Sequence, residues 1–451
     1  MIKTSVIIPV YNTGVYIEEC VNSVFHQTQR EIEVIAINDG STDDSLEILL
    51  NLQKIYPELI IISQENNGLG FTRNIGMERA RGEYIYFLDS DDYILENTLE
   101  KCYECATKNK LDLVLFDAYE FTESIDRKPI EPNYSDRHKV IKERDEIFSG
   151  IYFLEKYHQV SYTPEACFVY CSAAYLKKHN ISFLTGVVFE DNEFYCRIMT
   201  LAERVMYIPE MFYQYRCRKD SITGTDFDLR KARNHIEVIS AMADLKTLNN
   251  GKGWHAVRKI SLNLLNYVAD VCANNKLYNK DNQLSEQILN TWVKISGNTI
   301  ENTVSLEDIE FVCILCKYFP DSDFNERKVA INTKREQLLM ETLRSLPFDQ
   351  NERKVAIYGC GKYTEKVLGF YEKWVDSIEA DVIFIDSYIK DCDTAYRGYP
   401  LYPVKEIGEK ELDYIYISSP KYEKEMKEMI YKLYGNKFAV ISLYGDLHIN
   451  I

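Results

Sequence analysis

The feature that most constrains this chain is the rhythm of its opening segment. Apolar runs recur at Ser5-Val6-Ile7-Ile8-Pro9-Val10, Ile32-Glu33-Val34-Ile35-Ala36-Ile37, Leu59-Ile60-Ile61-Ile62-Ser63 and Glu83-Tyr84-Ile85-Tyr86-Phe87-Leu88. Runs without polar alternation are strands buried on both faces, as in a parallel sheet covered by helices. Between them, Ile17, Cys20, Val21, Val24 and Phe25 fall at helical spacing, and Asp44 to Ile55 and Phe71 to Arg81 read as further helices. Repeated strand–helix alternation predicts a doubly wound, mostly parallel α/β sheet.

Such a sheet binds ligands beyond the C-terminal ends of its strands. Polar residues gather there: Tyr11-Asn12 after the first run, Asn38-Asp39-Gly40-Ser41-Thr42-Asp43 after the second, and Asp89-Ser90-Asp91-Asp92 after the fourth. One crevice must receive all three loops. Carboxylates this close together need a counter-charge, and a divalent cation is the usual one. A helix N-cap at Asp91 or Asp92 would account for one aspartate and leave two over.

Bulk properties narrow the class. A chain of 451 residues is too long for one ordinary core, so two or three domains are expected. A net charge of −17 argues against a nucleic-acid binder and against broad adhesion to anionic lipid. No apolar run reaches the roughly 20 residues of a membrane-spanning helix, and Met1-Ile2-Lys3-Thr4 leads straight into a strand rather than a secretion signal. A cytoplasmic protein is expected, at most peripheral at the inner face of the plasma membrane. Cys102/Cys105 and Cys313/Cys316 have C-x-x-C spacing, but each pair lies in a helical stretch with no nearby His, so buried free thiols are expected.

The loops carry a resemblance. Ile8-Pro9-Val10-Tyr11-Asn12, Asn38-Asp39-Gly40-Ser41-Thr42-Asp43, Thr72-Arg73-Asn74-Ile75-Gly76 and Gly82 to Asp92 resemble, in order, the motifs of family 2 glycosyltransferases of the GT-A fold, over residues 1 to about 225. The resemblance implies an inverting transfer of a sugar from a nucleotide diphosphate donor. It places Pro9, Tyr11 and Asn12 among the donor-binding residues, with Tyr11 stacked on the base and Asp39 accepting its imide N–H, which favours uracil and hence a UDP-sugar. Arg73 would lie near the donor. Asp89-Ser90-Asp91 would be the DxD motif, Asp91 the main ligand of Mn2+ or Mg2+ and Asp89 reaching metal or ribose, with Asp92 in support. Inversion requires a base opposite the leaving group. The family keeps it in an acidic pair, here Glu190-Asp191, with Asp191 the base and Glu190 the runner-up; a helix cap at Asp191 is the plain alternative. Arg216, Arg218 and Lys219 match the family's closing segment, where they would offset diphosphate charge; a solvated basic turn is the alternative. Many relatives carry a tryptophan where Pro164-Glu165-Ala166-Cys167-Phe168-Val169-Tyr170 stands here.

From Asp228 the apolar spacing turns helical (Ile260, Leu264, Leu265, Val268, Val271). The expected organisation is therefore a GT-A domain over 1–227, a helical connector or interaction region over 228–347, and a C-terminal domain over 348–451. The last resembles small Rossmann-like modules: strand Lys354 to Tyr358, the turn Gly359-Cys360-Gly361, and Asp386 closing a later strand make a possible nucleotide site. Thr364 stands at the third glycine position, so a structural or interaction module is the favoured reading. Asn325 to Ile331 recurs as Asn351 to Ile357, too little for a solenoid.

The expected function is an inverting, metal-assisted hexosyl- or N-acetylhexosaminyltransferase using a UDP-sugar to extend a cell-surface glycan such as capsule, lipopolysaccharide or wall polymer. A lipid-linked, protein or glycoprotein acceptor is the alternative, and a non-catalytic nucleotide-sugar-binding scaffold is the alternative of another class. Homo-oligomerisation would run through the helical or C-terminal region.

Overall fold

The computed structural model describes residues 1–122, 140–143, 146–158, 161–218, 221, 225–281, 283–297, 354–359, 381–387, 394–396, 399–412, 414–417, 423–435 and 437–442. The chain divides into two compact units, Met1–Ile295 and Ser296–Ile451.

In the first unit the elements run β1 Thr4–Val10, α1 Ile17–Phe25, β2 Ile32–Asp39, α2 Ser45–Ile55, β3 Leu59–Gln64, α3 Leu69–Arg79, β4 Tyr84–Phe87, β5 Tyr93–Ile94, α4 Thr98–Asn109 and β6 Leu113–Thr122. They continue with α5 Gly150–Tyr157, β7 Val169–Ser172, α6 Ala173–Lys178, α7 Asp191–Leu201, β8 Val205–Cys217, α8 Leu229–Met242, α9 Trp254–Asn274 and α10 Leu284–Ser296. One sheet of order β3-β2-β1-β4-β7-β6-β8-β5 joins the strands. The stretch β3-β2-β1-β4 is parallel throughout; β7 then enters antiparallel to both β4 and β6, and β8 runs parallel to β6. The sheet is therefore mixed beyond β4, where the alternating rhythm of the sequence stops.

Burial explains the unbroken apolar runs. Successive residues of one strand serve opposite cores: Ile7, Ile35 and Phe87 pack with Phe183, Phe194 and Met199 on one face, whereas Val6, Ile8, Val34, Tyr86 and Leu88 pack with Val21 and Val24 on the other. With both faces covered, no position is left for polar alternation.

The first core does not stop at residue 227. Val238 and Met242 from α8 and Ala256, Val257 and Ile260 from α9 lie in the same cluster as Ile7 and Phe87. A boundary drawn at 227 from the change of periodicity cuts through this core, because periodicity reports a helix and not which core the helix serves. Cys313, Cys316 and the Asn325 to Ile331 copy of the repeat lie outside the described residues. Cys102 is buried in α4, and Cys105 is a half-buried thiol beside the Met206 sulfur.

The second unit holds a six-stranded sheet of order β11-β12-β10-β9-β13-β14, from β9 Lys354–Tyr358, β10 Asp381–Asp386, β11 Thr394–Tyr396, β12 Tyr399–Pro403, β13 Tyr414–Ile417 and β14 Ala439–Ser442, with α11 Glu423–Tyr434. All pairs are parallel except the β11–β12 hairpin. Its core gathers Ala356, Ile385, Ile415, Ile417 and Ile430. Among the described residues no helix of the chain is long and apolar enough to cross a membrane.

Candidate active site

Because β1, β2 and β4 are parallel neighbours, their C-terminal loops meet at one edge. Side chains tie the loops together. Asn12 Oδ1 accepts the Thr42 N–H at 2.8 Å, and Ser41 Oγ accepts the Asn12 N–H at 3.1 Å. Asn12 adopts φ 53°, a left-handed conformation that asparagine tolerates. Thr13 Oγ1 donates to Ser90 Oγ at 2.9 Å, so Ser90 is buried and spent on loop-to-loop contact rather than facing the crevice. Pro9 is buried in β1. Tyr11, just past β1, is 50% exposed.

Asp39 is almost fully buried. Its Oδ1 accepts from Gln64 Nε2 at 2.8 Å and from the Asn67 N–H at 2.9 Å, and its Oδ2 accepts from the Gly68 N–H at 2.9 Å. It thereby shapes the turn into α3 and retains one acceptor position on Oδ2.

The acidic corner after β4 is held from β8. Asp92 takes the Tyr213 hydroxyl on Oδ2 and the Arg216 N–H on Oδ1, both at 2.6 Å. Arg218 Nε donates to Asp91 Oδ2 at 2.7 Å. Arg216 donates through Nε to the Asp91 carbonyl at 2.9 Å and through NH2 to Glu19 at 2.6 Å. Both guanidiniums lie over the Tyr16 ring, at 5.0 and 5.3 Å. A helix cap does not explain Asp91 or Asp92: α4 starts after Asn97. Burial pushes the carboxyls of Asp91 and Asp92 up from the usual range, Arg218 pulling Asp91 back down in part. The mutual repulsion of Asp89, Asp91 and Asp92 adds to this rise. Among the described residues no three His, Cys, Asp or Glu side chains converge to hold a metal ion unaided. Lys219 lies outside the described residues.

Arg73 is the hub of the site. Its side chain is wholly buried, with NH2 2.8 Å from Asp89 and NH1 2.9 Å from Glu190 and 2.6 Å from Asp191. Three carboxylates from two distant stretches thus share one guanidinium, which lies 5.2 Å from the Phe183 ring. A solvated charge on a surface helix is ruled out by this burial. Within the acidic pair the two members differ: Glu190 is 2% exposed and Asp191 23%. Burial raises both carboxyls; Asp191 raises Glu190 further, and Arg73 offsets part of the rise at each. Only Asp191 can meet a solvent-borne hydroxyl. It sits in the first turn of α7, and no side-chain cap closes that helix.

Some participants escaped the sequence reading. Glu19 and Tyr16, the partners of the β8 arginines, carry no local signature. Gly70 does: a Cβ there would lie 2.0 Å from the Leu184 carbonyl and 3.2 Å from Glu190 Cγ, so its glycine lets α3 approach the acidic pair. In the second unit, Gly359 adopts φ 107° and Asp386 closes β10, but Gly361 and Thr364 lie outside the described residues.

A sheet of this order with its carboxylates at one crevice is the GT-A architecture of glycosyltransferases. The glycosyl transferase family 2 profile matches residues 5–180, and a profile for the N-terminal part of C2185-like proteins matches residues 351–441. Glycosyltransferase GlyG of Streptococcus pneumoniae is 32% identical over 243 residues, 52% of this chain and 78% of the relative. The poly(ribitol-phosphate) β-glucosyltransferase of Bacillus spizizenii is 41% identical over 117 residues, 25% of this chain and 18% of its own length. The crystal structure of S. aureus TarS 1–349 in complex with UDP-GlcNAc shares the fold, with TM-score 0.54 and 18% identity, over 77% of this chain and 93% of that one. The chain belongs to glycosyltransferase family 2, and it is an enzyme of that class.

Proposed function

We propose that the enzyme transfers a sugar, with inversion at the anomeric carbon, from a UDP-sugar to a hydroxyl of a growing cell-surface glycan. The observation that carries this reading is the single buried Arg73 that links Asp89 of the donor corner to Asp191. Residues separated by 102 positions (191 − 89) in sequence are brought to opposite ends of one guanidinium. The relatives support the glycan class: one is named for glucosylating poly(ribitol-phosphate), and a structural neighbour is solved with UDP-GlcNAc.

In this reading Tyr11 stacks on uracil and the remaining acceptor position of Asp39 takes its imide N–H. Asp91 and Asp89 suit Mn2+ or Mg2+, which bind through one or two carboxylates and complete their shell with substrate phosphates. When bound, the ion neutralises charge on the departing diphosphate. Arg218 and Arg216 stand beside the same corner, in reach of that charge. Asp191 takes the proton of the acceptor hydroxyl while Arg73 keeps it oriented and Glu190 packs behind. The test is UDP release from UDP-GlcNAc and UDP-glucose with Mn2+, with and without acceptor glycan. Loss in both Asp91→Ala and Asp191→Asn is expected; release from either variant equal to wild type overturns the role of that residue, and from both the mechanism.

A further inference from the structure

Phe189 stands two residues before Asp191 with φ 70°, in the left-handed region. For a bulky aromatic this is a genuine outlier, and such a conformation persists only where the surroundings over-determine it. The surroundings here come from α8. The Phe189 ring lies against His235, centroids 3.7 Å apart. One residue earlier, the Val188 N–H donates to Asn234 Oδ1 at 2.8 Å. On the far side of the turn, the Phe189 carbonyl accepts from the Asn192 N–H at 3.2 Å and from Asn192 Nδ2 at 3.1 Å. The Asn192 side chain also accepts the Tyr162 hydroxyl at 2.9 Å.

The α8 side of this brace is itself rigid. Asp228 caps the helix by accepting the Lys231 N–H at 2.8 Å. His235 Nδ1 and the Lys231 carbonyl are 3.1 Å apart, and the ring is boxed in by Phe227 at 5.5 Å and Tyr267 at 6.2 Å. Burial pushes the His235 pKa down to about 4, so the imidazole is a neutral packing surface at physiological pH.

We infer that α8 is a positioning element of the reaction: Asn234 and His235 clamp the 186–190 turn in its strained geometry and so aim the Asp191 carboxylate into the crevice. Asn234 and His235 are positioning residues, acting through Asp191, and a helix that reads in sequence as a connector becomes part of the catalytic apparatus. The inference rests on the reading of Asp191 as the base. A misplacement of about 1 Å at a reacting group costs on the order of 100-fold in rate, so any relaxation of the turn on loss of either contact should be read in kcat.

The test compares Asn234→Ala, Asn234→Asp, which keeps an oxygen to accept the Val188 N–H, and Phe189→Gly, which relieves the backbone and removes the ring. Each full-length variant is assayed for acceptor-dependent kcat with whichever of UDP-GlcNAc or UDP-glucose the wild type consumes. UDP affinity, melting temperature and amide exchange across 186–191 are followed alongside. Asn234→Ala and Phe189→Gly should lose tenfold or more in kcat, with UDP affinity within twofold of wild type and faster exchange at Val188. Phe189→Gly should melt no lower than Asn234→Ala, and Asn234→Asp should recover most of kcat. Faster exchange with unchanged kcat sinks the inference and leaves the proposed function standing. Parallel loss of UDP affinity and kcat also sinks it, since the helix would then be supporting the whole fold. A wild type that releases UDP from neither donor removes the proposed function, and the inference with it.

Discussion

The acidic corner after β4 and the acidic start of α7 are both carboxylate clusters, yet they are neutralised in opposite ways. At the corner, Asp91 is met by Arg218, which comes from the end of β8 and retains 16% exposure. At α7, Glu190 and Asp191 are met by Arg73, which has none. In the proposed mechanism the first counter-charge is exchangeable and the second permanent. A site that must admit a charged donor and release a charged product needs the first kind where the diphosphate lands. A base that must present the same lone pair at every turnover needs the second.

The sharpest way to break this contrast is Asp191→Asn, which keeps the Arg73 contact and removes the basic oxygen. Acceptor-dependent turnover should fall by about 10² to 10⁴, with UDP affinity in binding assays unchanged. Next is Arg73→Gln, which leaves three carboxylates without their buried partner; removing one member of a buried ionic cluster costs about 3–5 kcal/mol, read as a lower denaturant midpoint. The same variant bears on pH. In the proposed mechanism Asp191 works ionised, and burial already raises its carboxyl, so kcat/KM of the wild type should fall on acidification at a pH above the ordinary aspartate value of about 4. Arg73 opposes that rise, so the acid limb of any active Arg73→Gln enzyme should move to still higher pH. A limb that stays put means that Arg73 does not set the charge on the base.

Gly70→Ala sits between the two clusters in effect. Its methyl would collide with the Leu184 carbonyl, and a cost of about 1–3 kcal/mol is expected from the forced shift, with turnover falling as Glu190 is displaced. The smallest effect on stability belongs to Arg218→Gln. The pair keeps 16% and 19% exposure, so its loss should cost less than the about 3–5 kcal/mol of a fully buried cluster, and the melting temperature should fall less than in Arg73→Gln. Without its resident guanidinium, Asp91 should bind Mn2+ at lower concentration in the absence of donor, as titration calorimetry would show. A large stability loss in Arg218→Gln would erase the distinction between exchangeable and permanent.

Much of this architecture is legible in the amino-acid sequence. The strands over Ser5–Val10, Ile32–Ile37 and Leu59–Ser63 come out within about two residues, because two-sided burial leaves a strong apolar signature. The meeting of the loops after β1, β2 and β4 follows from strands that run parallel, since parallel neighbours put like ends together. The region from β6 to β8 was opaque, because antiparallel insertion of β7 beside β4 leaves no mark in local spacing. The burial of Arg73 was equally hidden, for an arginine on a helix looks the same in sequence whether it faces water or three carboxylates. The brace from Asn234 to Val188 spans 46 residues and obeys no period.

The core that crosses residue 227 bears on how the catalytic half can be handled in isolation. Cutting the chain at the end of its recognisable motifs would strip Val238, Met242, Ala256 and Ile260 away from Phe153, Phe194 and Met199, and leave an oily wound on the sheet's helical cover. Such a fragment should precipitate or require detergent. One ending just past Ser296 keeps that wound closed, and is the shortest piece from which clean kinetics should be sought.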